Sequence, residues 1–214
     1  MKVFIDFDDV IFNTKEFSTD LRQFFEEYDI TQDMVEKYYY NPDDIGEIKL
    51  FNPWEFFDRI ENEEGIELLS ARHSFADFLE DTSEYLFNDV TDFIDFIGRD
   101  NVYLVSFGIP EFQNKKISGC GLDKLVKQII ITNELKAKAI AEIILDKKMA
   151  EEDVFFIDDR VEQIENVKGN MPEIHTIYLH RKEGRYCDEK KSCCDFEVHN
   201  LIEALNVIKS NAKI

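Results

Sequence analysis

The chain reads as an α/β protein: a Rossmann-like parallel-sheet core with a mainly α-helical cap inserted after the first strand. Three observations predict this. Short apolar runs rich in β-branched and aromatic residues recur at 2–5, 102–105, 129–131, 154–157 and 174–179. Strands covered on both faces of a parallel sheet have this composition. Helical spacing of apolar residues alternates with several of these runs, the order that builds a doubly wound sheet. Residues 14–98 interrupt the alternation with helical patterns and no strand signal. A chain of 214 residues, 44% hydrophobic and 13% aromatic, can bury such a core and is not disordered as a whole.

Taken in order, Lys2-Val3-Phe4-Ile5 supplies the first strand. Phe17, Leu21, Phe24, Phe25 and Tyr28 then fall at helical spacing. Asn52-Pro53 before Trp54, Phe56 and Phe57 reads as an N-cap and a first-turn proline. Phe75, Phe78 and Leu79 mark a further helix. Val90, Phe93, Ile94 and Ile97 mark another, predicted over about 84–98, entered through Asp89 and left through Gly98. Because it leads directly into the strand at 102–105, this helix is assigned to the core. Residues 1–14 and 83–214 then form the α/β core, and 15–82 the helical cap. Beyond the strand at 129–131, Ile140, Ile143 and Ile144 define a helix, as do Val161, Ile164 and Val167, and finally Leu201, Leu205 and Ile208. A polar hairpin or loop over 181–192 is predicted to join the strand ending near His180 to a last strand around 196–198.

The charge balance is lopsided, with 46 Asp and Glu against 25 Lys and Arg, a formal −21. Residues 1–98 hold 26 acids and 7 bases, whereas 99–214 hold 20 and 18. So negative a surface repels phosphate backbones and anionic lipid, which excludes a nucleic-acid or membrane-surface binder. The acidic surplus of the cap reads as solvation; if it lined the site, it would favour a cationic or neutral leaving group. No apolar stretch reaches bilayer length and nothing resembling a signal peptide precedes the first strand, so a cytoplasmic protein is expected. Cys187, Cys193, Cys194, His180 and His199 lack the paired spacing of a zinc clip. Gly119-Cys120-Gly121 reads as a turn. The aromatics at 38–40 and 54–57 read as cap core rather than as a surface on which substrate stacks.

Chemistry concentrates at strand ends. Asp6-Phe7-Asp8-Asp9-Val10 follows the first strand, and Asp158-Asp159-Arg160 ends another. In open parallel sheets, ligands bind at the carboxyl ends of strands. Clustered carboxylates there repel one another, and a divalent cation with oxygen ligands, Mg²⁺, relieves that repulsion. Ser106 ends the strand at 102–105, where its hydroxyl and the amides of Phe107 and Gly108 can hold a phosphoryl oxygen. Lys136 and Lys138 open the helix before the Asp158 strand, and either can neutralise the same group.

This ordered set resembles the haloacid dehalogenase-like (HAD) superfamily of phosphohydrolases. Asp6 to Val10 is similar to its first motif, and Leu104-Val105-Ser106-Phe107-Gly108 to its second. Lys136 or Lys138 matches the third, and Ile157-Asp158-Asp159-Arg160 the fourth. The stretch from Phe107 to Val126, with Pro110, Gln113 and Lys116, looks like the family's link to the third strand. The resemblance implies a Mg²⁺-dependent phosphatase acting on a small phosphate monoester through an aspartyl phosphate. Asp6 would be the nucleophile and Asp8 the general acid/base, with Ser106 and a lysine holding the phosphoryl group. The preferred lysine is Lys136, with Lys138 in reserve. Asp6, the Asp8 carbonyl and the pair Asp158 and Asp159 would hold the metal, Asp159 directly and Asp158 in the outer place. Asp9 departs from the family's frequent glycine, and no consequence is expected. The acid at Asp8 favours a phosphate ester, because the superfamily's dehalogenases lack one. The alternatives are a non-catalytic binding protein using the acidic, aromatic cap, and a phosphotransferase or mutase.

Overall fold

β1 (Lys2–Ile5) occupies an interior place in a six-stranded sheet of order β3-β2-β1-β4-β5-β6. The computed structural model describes residues 1–42, 49–147, 149 and 152–212. From β1 the chain enters α1 (Thr14–Glu27), α2 (Gln32–Tyr38), α3 (Pro53–Glu64) and α4 (Leu69–Phe78). It returns through α5 (Val90–Ile97) to β2 (Val102–Phe107), then α6 (Pro110–Gly119) and β3 (Gln128–Thr132). Next come α7 (Ala137–Asp146), β4 (Val154–Asp158), α8 (Val161–Asn170), β5 (His175–Leu179), β6 (Phe196–Val198) and α9 (Leu201–Asn211). All strand pairs are parallel, so the α/β parallel-sheet reading holds. Residues 43–48, within the expected cap, lie outside the described residues.

The register positions the site. Ile5 pairs with Leu104 of β2 on one side and Ile157 of β4 on the other. The chain leaves β1 for β2 and β3, then crosses back to β4 on the opposite side, and this reversal opens a crevice at the strand ends. Asp6, Ser106 and Asp158 therefore emerge side by side at one edge of the sheet. Val3, Ile5, Leu104, Phe155 and Ile157 join one apolar cluster, while Phe4, Tyr103, Val105 and Phe156 join a second one with Ala137, Ile140, Val161 and Ile164. Strand residues alternate between the two clusters because successive side chains point to opposite faces.

Several local expectations are corrected. The helix predicted over 84–98 begins only at Val90. Ahead of it, Leu86 bridges Phe12, the Asn13 amide donates to the Tyr85 carbonyl, and the Phe87 amide donates to the Ile11 carbonyl. Those bonds commit 85–87 to pairing with the β1 turn instead of a helix. Asp89 stands at the N-cap of that helix as expected, its carbonyl accepting from the Phe93 amide, but its side chain makes no capping bond. It accepts two bonds from Arg181 and one from the Leu201 amide, tying α5 to the start of α9. α2 was not anticipated, although Thr31 caps it by accepting from the Met34 amide. β6 runs parallel to β5, so the connection between them is a crossing loop rather than a hairpin.

Candidate active site

At the end of β1, Asp6 is held by its amide, which donates to the Ile157 carbonyl. Asp6, Asp158 and Asp159 are all buried, and they bring carboxylate oxygens within 4.8 Å of one another. Lys136 Nζ donates to Asp6 Oδ1 at 2.5 Å and to Asp158 Oδ2 at 2.7 Å. Asp158 Oδ1 accepts from the Arg160 amide at 2.9 Å. Among the described residues no hydrogen-bond donor reaches the Asp159 carboxylate, which faces the other acids and, at longer range, the charges of Lys136 and Arg160. Burial pushes Asp6 up to about 7, with Lys136 opposing and Asp158 adding to the rise. Burial, then Asp6 and Asp158, holds Asp159 well above the usual carboxylate range. Three carboxylates facing one ammonium leave a surplus of two negative charges, and that surplus suits an oxygen-ligated divalent cation.

α8 sets the position of Lys136. The amides of Lys136 and Ala137 at the start of α7 donate to Gln163 Oε1 and Asn166 Oδ1 of α8. These side chains take up orphan donors that every helix start leaves open. Lys138 points elsewhere, its ammonium 3.5 Å from Glu134 at the surface. The geometry thus brings Lys136, and not Lys138, to Asp6.

Asp8 sits two residues further on in different company. Lys116 Nζ donates to Asp8 Oδ1 at 2.6 Å, Gln113 Nε2 to Oδ2 at 2.6 Å, and Thr14 Oγ1 to Oδ1 at 2.7 Å. Burial alone would raise Asp8, but Lys116 and Arg185, with the bonds from Lys116 and Gln113, carry it down to about 2. The Lys116 ammonium lies 4.9–5.4 Å from the ring centres of Phe7, Phe12, Phe17 and Phe112. Gln113 Nε2 also reaches Ser106 Oγ at 2.7 Å, linking the ends of β1 and β2. Glycine is required at 108, because a Cβ there would lie 2.9 Å from Gln113 Cγ.

Two sequence expectations change here. The Gly108 amide donates to the Thr132 carbonyl at 3.0 Å, so it is spent on the sheet and does not face a phosphoryl oxygen. Asp9 is far from inconsequential. It is fully buried with φ 59°, the left-handed backbone that makes glycine the usual residue at such a place. Its Oδ2 accepts from Arg185 Nε at 2.6 Å, and its Oδ1 has no partner.

Arg185 belongs to the loop between β5 and β6, as does Tyr186, and both line the cavity in front of Asp6 and Asp8. The Arg160 guanidinium lies 4.0 Å over the Tyr186 ring, and Asp188 accepts from both Arg160 Nε and the Val161 amide. The cavity measures about 230 Å³. From the helical segment it is lined by Tyr39, Tyr40, Lys49 and Phe51 among others, and by no acid among the described residues. The described acids of this segment therefore lie off the cavity wall. Of the aromatic groups expected in the cap core, Tyr38, Phe56 and Phe57 are fully buried, whereas Tyr39 and Tyr40 sit on the cavity. Of the cysteines, Cys193 and Cys194 place their sulfurs 3.9 Å apart and Cys187 is exposed.

Lys116, Gln113, Thr14, Arg185 and Tyr186 are the residues that sequence reasoning did not place in the site. Gln113 and Lys116 stood in a recognised stretch, but nothing in their spacing pointed to Asp8. Arg185 carried no signal except the acid at position 9, where the left-handed turn makes a large side chain unusual.

No protein-family model matches the chain, and no curated protein matches it. Solved structures do. The HAD-hydrolase YfnB from Bacillus subtilis, bound to magnesium, is 18% identical with a TM-score of 0.64, covering 97% of each chain. An L-2-haloacid dehalogenase from Xanthobacter autotrophicus with chloropropionic acid covalently bound is 13% identical with a TM-score of 0.61, covering 99% of each. A β-phosphoglucomutase from Thermotoga maritima is 16% identical with a TM-score of 0.56, covering 99% of this chain and 100% of its own. At such identities the likeness establishes the fold, and the fold is HAD-like. No helix among the described residues is long and apolar enough to cross a membrane.

Proposed function

We propose that the protein is a Mg²⁺-dependent phosphatase for a small phosphate monoester, working through an aspartyl phosphate. One observation carries the reading: a second carboxylate, Asp8, is held two residues beyond Asp6 in the cavity that also contains the buried acid triad. A dehalogenation needs no such group, because a halide leaves without a proton, whereas an alkoxide does not. The helical segment 15–82 serves as the cap that keeps water from the site.

The triad fits Mg²⁺ by its donor set, all oxygen, and by the undonated Asp159 carboxylate. Asp6 and Asp159 would hold the ion, with the Asp8 main-chain carbonyl, while Asp158 keeps its bonds to Lys136 and the Arg160 amide. Bound there, the ion supplies positive charge that offsets repulsion between Asp6 and the incoming phosphate. Asp6 attacks phosphorus as the bond to the leaving oxygen breaks. Lys136 and the Ser106 hydroxyl steady the transferring group. Asp8 carries three donors and so begins as a carboxylate. A substrate arriving as the monoanion brings the proton that Asp8 relays to the leaving oxygen. In the second step Asp8 takes a proton from the water that attacks the phosphoaspartate.

The test is phosphate release from a generic aryl phosphate with and without Mg²⁺, beside Asp6→Asn. Release should require Mg²⁺ and fall at least about a thousandfold in the variant. No release, or release that survives Asp6→Asn, removes the catalytic reading.

A further inference from the structure

Part of the cavity lining has a chemistry that phosphate transfer does not use. On the cap side, Tyr39 stacks on Phe51 with ring centres 4.3 Å apart and 12° between planes, and Tyr40 meets Tyr39 edge-on at 4.8 Å. On the core side, Tyr186 carries the Arg160 guanidinium at 4.0 Å and the Arg185 guanidinium at 5.2 Å. All of these residues line the cavity. Burial pushes the Tyr39 hydroxyl up to about 12, with Tyr40 adding and Arg185 opposing, so Tyr39 lies within the electrostatic reach of the opposite wall.

Walls of aromatic rings and guanidinium planes bind flat π-systems, by stacking and by attraction between ring faces and cations. A sugar is recognised differently, by side chains that bond its several hydroxyls. The two amides lining this cavity are already committed, Gln113 to Asp8 and Ser106, and Gln163 to the Lys136 amide.

We infer, on the premise that the site is a phosphatase, that its substrate is a phosphate monoester whose leaving group carries a flat unsaturated ring. This is the chemistry of a nucleoside monophosphate.

Uridine 5′-monophosphate and ribose 5-phosphate isolate the ring, because the same primary alcohol leaves from both. The expected kcat/KM ratio is at least about tenfold in favour of the nucleotide, the scale of one stacked base. Phe51→Leu and Tyr186→Leu should each bring that ratio toward one, while Phe96→Leu, an exposed aromatic on α5, should leave it in place. Equal kcat/KM for the two esters, or a ratio untouched by both cavity variants, overturns the inference. If no ester releases phosphate, the phosphatase reading fails by itself. Calorimetry with the same two compounds then decides the ring site: tighter binding of the nucleotide supports it, and equal or absent binding overturns it.

Discussion

Two groups of carboxylates meet at the ends of β1 and β4 and are paired in different ways. Asp6, Asp158 and Asp159 face a single cation, Lys136, and their corner keeps a surplus of negative charge. Asp8 and Asp9 face Lys116 and Arg185, and their corner is neutral. Burial penalises ions in both places. In the first corner that penalty is left standing and lifts Asp6 and Asp159. In the second, salt bridges and hydrogen bonds overcome it at Asp8, while at Asp9 burial still outweighs Arg185. The difference teaches which half the protein completes for itself. On the proposed reading an added cation finishes the first corner, whereas the second pairs its charges when the chain folds.

The largest expected effect comes from deleting Lys136 from the first corner and Lys116 from the second. Breaking a buried ion pair from one side costs about 3–5 kcal/mol, because a buried charge is left behind. Lys136→Met and Lys116→Met should each lower stability on that scale in metal-free buffer. Added Mg²⁺ should then separate them. It binds only the folded triad, so it should restore much of the loss in Lys136→Met and little of it in Lys116→Met. Thermal melts with and without Mg²⁺ measure this. Equal recovery in the two variants would show that the corners do not differ in the way their charges suggest.

A smaller effect is a slope of stability with pH. Asp6 titrates near 7 in the fold against an ordinary 3.8. Between those values the folded chain holds a proton that the unfolded chain has lost. Stability of the metal-free protein should therefore fall as pH rises through that window and level off above it. Asp159 acts with the same sign. Asp8 is shifted to about 2, so its contribution is complete above the ordinary value and is lost only as pH falls below it. Above the ordinary carboxylate value the slope comes from the raised acids, Asp6 and Asp159 in the first corner and Asp9, which burial also raises against Arg185, in the second. Urea denaturation from about pH 5 to 7 should show it in the wild type, and a flatter line in Asp6→Asn or with saturating Mg²⁺. A slope that Asp6→Asn leaves intact would assign it to other groups.

The two corners were not equally readable from the amino-acid sequence. The acids of the first lie at strand ends, and apolar runs of four to six residues reveal strands with few competing patterns. Lys136 also sits at a helix start, so local order placed every member near the crevice. The second corner is assembled over long separations. Lys116 lies 108 residues from Asp8, and Arg185 lies 176 residues from Asp9. No periodicity connects such pairs, and Arg185 arrives on a loop without helix or strand. The same physics explains the late start of α5: its apolar spacing is local, whereas the pairing of Leu86 with Phe12 that displaces it is not.

The smallest expected effect tests how the second corner is joined, at Asp9 and Arg185. Asp9 spends backbone freedom on φ 59° and leaves Oδ1 buried without a partner, each unfavourable by roughly 1–2 kcal/mol. Its compensation is the Arg185 pair, in which the arginine side chain is 35% exposed and solvent weakens the attraction. Asp9→Gly removes both costs along with the bond, so its stability should stay within about 1 kcal/mol of the wild type. Arg185→Gln removes only the partner and strands a carboxylate that is fully buried, so it should destabilise measurably more than Asp9→Gly. The double variant should return to the level of Asp9→Gly, since nothing is then left unpaired. Urea midpoints of the three proteins decide it. If Asp9→Gly is the more damaging single change, Asp9 is supporting the turn in its own right rather than anchoring the Arg185 loop across the second corner.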